Sequence, residues 1–289
     1  MVNPKFTRSP ILAEQIKGIY SNISLTLNQE DTFNKVNEIL GNIKPPCEFA
    51  KVSAEKELID LYSMYRSWIM FSEGMNKIWP TVELHYKGIE TQMKLKNFNI
   101  WFSNSLTIPA LHYANIYFLL SFMTAFGLIP LRRNKMDMFL IRQNSSYYAI
   151  MKSEYAKQQS LKASSDNWHV FTIKAAEDVA KESNIELPFS DIDCIRKARM
   201  YLDYEILTKP SLLAQIGELY YGKSLKVSIN LAIRVYEILR TDLGQSPRNG
   251  ADKRFEGLKP LCEELIKKYS TTWQNKTFDD DVPCFANLS

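Results

Sequence analysis

The stretch that decides the fold is residues 97–131, NFNIWFSNSLTIPALHYANIYFLLSFMTAFGLIPL, which contains no Asp, Glu, Lys or Arg. Its second half is long enough to span a bilayer. Polar side chains at that depth would be costly, and this half contains His112, Asn115, Ser121 and Thr124. We therefore predict a buried core helix from about Pro109 to Phe126 and no membrane span.

A strongly basic segment follows directly. Residues 128–162, here called the basic stripe, hold seven basic and two acidic residues, a net charge of +5 against +4 for the whole chain. The excess positive charge of the protein is therefore local. A local cationic surface with aromatic neighbours is typical of a site that holds a polyanion.

The hydrophobic spacing of the remaining chain predicts a mainly α fold with one β-hairpin. Apolar residues mostly recur at helical intervals. One long helix is predicted to begin near Ser53 and to end at Gly74. Residues 82–95 alternate apolar and polar side chains around Gly88, a period of two that predicts the hairpin. Within the stripe we predict two further helices, at Asn134–Arg142 and Ser145–Leu161.

Two helical lobes and two extended arms complete the predicted architecture. The lobes are residues 9–130 and 131–270, with the connection around Pro130 as the boundary between them. The arms, 1–8 and 271–289, lack periodicity but carry bulky aromatics, which disordered chains rarely contain. We predict that these aromatics anchor a neighbouring subunit, and the alternative is that each arm packs back on its own body. The aromatic residues are Phe6, Trp273, Phe278 and Phe285.

The stripe supplies the candidate RNA-binding residues. In the predicted helix, Tyr148, Lys152 and Tyr155 share one face, where lysines would hold phosphates and rings would stack on unpaired bases. The alternative is a solvated helix face with the tyrosines tucked beneath it. The full candidate set is Arg132, Arg133, Lys135, Arg142, Tyr148, Lys152, Tyr155 and Lys157.

Sequence motifs for catalysis or metal binding are absent. There is no phosphate-binding glycine loop, no metalloprotease motif and no serine nucleophile elbow. Four cysteines lie far apart without CxxC spacing, and only three histidines occur, His85, His112 and His169. We predict no enzymatic activity, no cofactor and no metal, with a helical enzyme of unrecognised site as a third reading.

Three short blocks resemble the nucleoproteins of segmented negative-strand RNA viruses, in particular the plant-infecting emaraviruses. Those nucleoproteins carry, in order, blocks written NVLSFNK, NRLA and GYEF. Here Phe118–Thr124 matches the first at Leu120, Ser121 and Phe122; Ser211–Ala214 matches the second at Leu213 and Ala214; Val235–Ile238 matches the third at Tyr236 and Glu237. The Asn and Lys of the first block and the Arg of the second are replaced.

The resemblance implies a protein of the virion and host cytoplasm. Such a protein would encapsidate single-stranded genomic RNA in a cleft between lobes without reading its sequence. It would form homo-oligomers through its arms, with viral polymerase as a further partner. The alternative from the residues is a cellular all-helical interaction or toxin-like module that does not polymerise.

Overall fold

A computed structural model describes residues 28–43, 50–52, 56–92, 99–133, 136–143, 146–158, 168–200, 218–242, 255–257, 259–260 and 263–264. In chain order, its elements are α1 (Gln29–Gly41), β1 (Ala50–Lys51), α2 (Lys56–Gln92), α3 (Asn99–Ala125), β2 (Leu128–Arg133), β3 (Met136–Gln143), β4 (Ser146–Met151), α4 (Lys152–Gln158), α5 (Trp168–Glu182), α6 (Phe189–Met200) and α7 (Glu218–Asp242). The predicted fold class, mainly α with one small antiparallel sheet component, is confirmed.

The sheet lies inside the basic stripe. Its strands follow the order β1–β4–β3–β2 with antiparallel pairing throughout. Residues 138–141 of β3 are all buried, so the middle of the sheet is covered on both faces. One face packs against α1 and the start of α2 through a cluster that includes Val36, Leu40, Ile59, Tyr62, Leu131, Met138, Leu140 and Ala149.

The two helices predicted within the stripe are wrong over most of their length. Residues 136–143 and 146–151 form β3 and β4, and helix begins only at Lys152. A short apolar run such as 138–141 fits a buried helix and a doubly covered strand equally well by periodicity. Burial on both faces, which alternating side chains of a central strand achieve, decides for the strand.

The β-hairpin predicted at residues 82–95 is also wrong where the structure describes it. Helix α2 continues through Gln92, and residues 93–95 lie outside the described residues. Extending an existing helix adds one hydrogen bond for each residue that becomes ordered. A new two-stranded hairpin would need its own turn and would be marginally stable alone.

Helices α2 and α3 approach closely through hydroxyl side chains. The Ser63 hydroxyl donates to the Thr124 carbonyl oxygen at 2.7 Å, and the Ser121 hydroxyl donates to the Ser67 carbonyl oxygen at 2.8 Å. All four residues are buried. The Ser63 and Ser121 hydroxyls each bond a backbone carbonyl oxygen of the other helix, so this contact between the helices uses no charged side chain. The predicted buried helix is therefore present, and it begins at Asn99.

Arg66 on α2 forms a hydrogen bond with the backbone of β2. Its Nη2 donates to the Pro130 carbonyl oxygen at 2.9 Å, and its Nη1 donates to the Tyr62 hydroxyl at 3.2 Å. Burial raises the pKa of the Tyr62 hydroxyl above its ordinary value, and the Arg66 charge and hydrogen bond oppose part of that rise. Pro130 is thus a paired residue within a strand, opposite Phe139.

The chain folds into two compact units. Among the described residues, unit 1 takes those up to 70 and those of 119–186 and 235–250, and it contains the sheet. Unit 2 takes the described residues of 71–118, of 187–234 and after 250. The division between the units falls inside α2, α3 and α7 among other places. The two lobes inferred from the sequence, 9–130 and 131–270, stay a prediction.

Candidate nucleic-acid interface

One end of the sheet collects cations of the stripe. The antiparallel register pairs Arg132 with Asp137 and Arg133 with Met136, so both arginines lie at the end of β2 that pairs with the start of β3. Because β4 runs antiparallel to β3, its last residue, Met151, lies at this same end, opposite Met138. Helix α4 then begins at Lys152. We call this end, with Arg132, Arg133, Lys152 and Lys157, the basic end of the sheet.

Lys152 is a fixed cation at the basic end. Its Nζ lies 3.8 Å from Asp137 Oδ2 and 5.0 Å from the ring centroids of both Trp168 and Phe171. The side chain is only 14% exposed. Cation–π contacts strengthen as water is removed, to about 2 kcal/mol when desolvated. Packing therefore orients this charge. Asp137 also has Arg132 opposite it in register, so it does not neutralise the cluster.

Lys157 is the most accessible described cation of the candidate set, with its side chain 75% exposed. Its Nζ lies 3.4 Å from Glu154 Oε2, three residues earlier on α4. An exposed pair of this kind contributes about 1 kcal/mol or less. Lys157 can therefore exchange this carboxylate for a phosphate at little cost.

Arg142 does not belong to the basic end. It lies five residues beyond Asp137 on β3, about 17 Å along the strand, and its Nε is 3.3 Å from Asp60 Oδ1. That contact is an ion pair without the alignment of a hydrogen bond, and both side chains are buried, 9% and 2% exposed. Side chains two apart on a strand share a face. Arg142 thus follows Leu140 into the core cluster, so the prediction of a phosphate contact there fails.

The predicted face of Tyr148, Lys152 and Tyr155 is absent, because Tyr148 lies on β4 rather than on a helix. Tyr148 is partly buried and pairs in register with Ile141 and Lys51. Tyr155 is fully buried. Its ring centroid lies 5.1 Å from that of Phe139, so it offers no face to a base.

An aromatic residue outside the candidate set lies beside Lys152 instead. Trp168, the first residue of α5, is partly exposed. The signal in the sequence was the capping pair Asp166–Asn167, which predicts a helix start at this position. The sequence did not predict that α5 packs on the second face of the sheet. Phe139 lies on this face, away from the core cluster, and its ring stacks with those of Trp168 and Phe171.

Other predicted functional residues lie outside the described residues. Lys135 falls between β2 and β3, and the proposed anchors of the arms fall within residues 1–27 and 265–289: Phe6, Trp273, Phe278 and Phe285. Within the described ranges, no three His, Cys, Asp or Glu side chains gather as metal ligands would. Nor does any described helix combine the length and apolar character that a membrane crossing needs.

The block residues of the nucleoprotein resemblance mostly serve packing. Leu120, Ser121 and Phe122 are buried in α3, and Tyr236 packs edge-on against Trp68 with ring centroids 6.2 Å apart. Glu237 is exposed, and Leu213 and Ala214 lie outside the described residues.

Compared with known proteins, the chain matches no family model, no curated protein and no solved structure. The resemblance therefore rests on the three short blocks and on the predicted arms, lobes and basic stripe.

Proposed function

We propose that this protein is a nucleoprotein that coats single-stranded RNA without reading its sequence, with phosphates docked at the basic end of the sheet. The observation that carries the proposal is the position of three cations at that end: Arg132 and Arg133 are the last two residues of β2, and Lys152 Nζ lies 3.8 Å from Asp137, the register partner of Arg132. Exposed Lys157 follows one to two helical turns later.

The form of the cluster favours RNA backbone over a folded acidic partner. Phosphate contacts need cations at intervals but no base-specific hydrogen bonds. Arginine pairs well with phosphate oxygens through its planar fork of donors, and lysine acts as a point charge. The nucleoprotein resemblance also supports the proposal, because the three blocks occur in the same order as in that family. The aromatic residues of the arms would anchor neighbouring subunits and so build an open or closed polymer.

Lysines on neighbouring helices provide a matched test. Lys157 and Lys181 are both exposed, 75% and 69%, and both pair with a glutamate on their own helix. We expect Lys157→Ala to weaken binding of a fluorescent single-stranded RNA and to reduce the slope of log K against log salt by about 0.7, the share of one phosphate. Lys181→Ala should change neither.

Combining Arg132→Ala, Arg133→Ala and Lys157→Ala should lower that slope by about 2, since three phosphates lose their cations. Fluorescence anisotropy measures both quantities, and the melting temperature checks the fold. Equal losses in Lys157→Ala and Lys181→Ala would mean that binding depends on total charge, and the basic end would then have no special role.

A further inference from the structure

The second face of the sheet holds a cluster of four aromatic rings next to Lys152. Phe139, Tyr155 and Phe171 are buried, whereas Trp168 is partly exposed. Among these four rings, Trp168 is therefore the one that reaches solvent. It does so beside the fixed cation of the basic end.

The cluster holds the indole ring in one orientation. Its plane lies 15° from that of Phe139, with centroids 6.1 Å apart, and 19° from that of Phe171, with centroids 6.2 Å apart. Lys152 Nζ is equally close, at 5.0 Å, to the Trp168 and Phe171 centroids. A ring fixed in this way loses little further freedom when another flat group stacks on it.

We propose that Trp168 is a base-stacking residue, and that Lys152 holds the phosphate of the nucleotide whose base stacks there. This inference rests on the proposed RNA-binding function and gives it a second, non-ionic component. Stacking on an aromatic ring tolerates every base, because each base has a π-face. The buried Tyr155, which the sequence suggested for this role, instead supports the cluster from within.

Two probes separate stacking from charge. Oligouridylate carries bases and phosphates, whereas inorganic polyphosphate carries phosphates alone. We expect Trp168→Leu to weaken oligouridylate binding about tenfold and polyphosphate binding by clearly less, because Lys152 keeps its contacts with Asp137 and the Phe171 ring. Trp168→Phe, which keeps an aromatic ring, should restore most of the lost affinity. Melting temperatures identify any variant that fails to fold.

A measurement on the wild-type protein makes the test independent of folding in the variants. Oligouridylate containing 4-thiouridine is bound, irradiated and digested, and the adducts are mapped by mass spectrometry. We expect an adduct on Trp168. Adducts confined to other residues, or a Trp168→Leu variant that weakens both probes equally, would overturn the stacking role and leave the phosphate contacts standing. A wild-type protein that binds neither probe would overturn the proposed function itself.

Discussion

Asp60→Ala is expected to lower the free energy of unfolding by about 3–5 kcal/mol, because it leaves the Arg142 charge buried without a partner. Asp60 is 2% exposed, and the Tyr147 hydroxyl donates a hydrogen bond to it as well. The variant would therefore remove one polar contact from each of two side chains in the core of unit 1, Arg142 and Tyr147. Chemical denaturation followed by circular dichroism measures the change.

A matched control separates burial from charge. Glu177 on α5 also pairs with a cation, Lys181, at 2.9 Å, and the Lys181 side chain is 69% exposed. Glu177→Ala should cost far less than Asp60→Ala, since water solvates the charge that remains. Replacing the buried pair together, Asp60→Leu with Arg142→Met, should recover most of the loss, because apolar side chains of similar volume avoid the desolvation cost. Similar losses for the Asp60 and Glu177 variants would contradict the burial of Arg142.

Gly74→Ala is expected to lower the free energy of unfolding by about 1–3 kcal/mol, although Ala is the better helix former. A Cβ at this position would lie 2.5 Å from Phe118 Cε1 and 2.7 Å from its Cδ1. The Phe118 ring is fully buried and packs against Phe71 with centroids 5.5 Å apart, so moving it aside would disturb this packing.

The sign of the effect should depend on Phe118. In a Phe118→Leu background the ring edge is gone, and Gly74→Ala should then stabilise the protein by up to about 1 kcal/mol through helix propensity alone. Four denaturation curves, for the wild type, the two single variants and the double variant, give this coupling energy. A cost for Gly74→Ala that is the same in both backgrounds would mean that the two residues do not touch.

These contacts explain which parts of the fold the sequence could predict. The charge-free run 97–131 predicted a buried helix because charges are excluded wherever a helix is covered. Gly74 looked like a helix end, since glycine is common there, yet it lies inside α2 because Phe118 needs the space. That need arises from a residue 44 positions later in the chain, and no local pattern carries it.

The candidate site could be predicted in its charge but not in its geometry. The excess of cations at 128–162 is visible in the sequence, and Lys157 is exposed, so that a phosphate can reach it. The secondary structure assigned to the segment decided the rest. In a helix Tyr148, Lys152 and Tyr155 would share a face, whereas strand periodicity turns Arg142 inward and pairs Arg132 with Asp137. Trp168 joins the site only through tertiary packing.

The most direct test of RNA binding is a titration of the wild-type protein, stripped of nucleic acid, with two single-stranded RNAs of equal length and unrelated sequence. Anisotropy is followed between about 50 and 200 mM salt. We predict equal affinities for the two RNAs and a linear fall of log K with log salt, as counterion release requires. Affinity that does not change with salt, or no binding at about 50 mM, would contradict the proposal that the basic end of the sheet binds RNA.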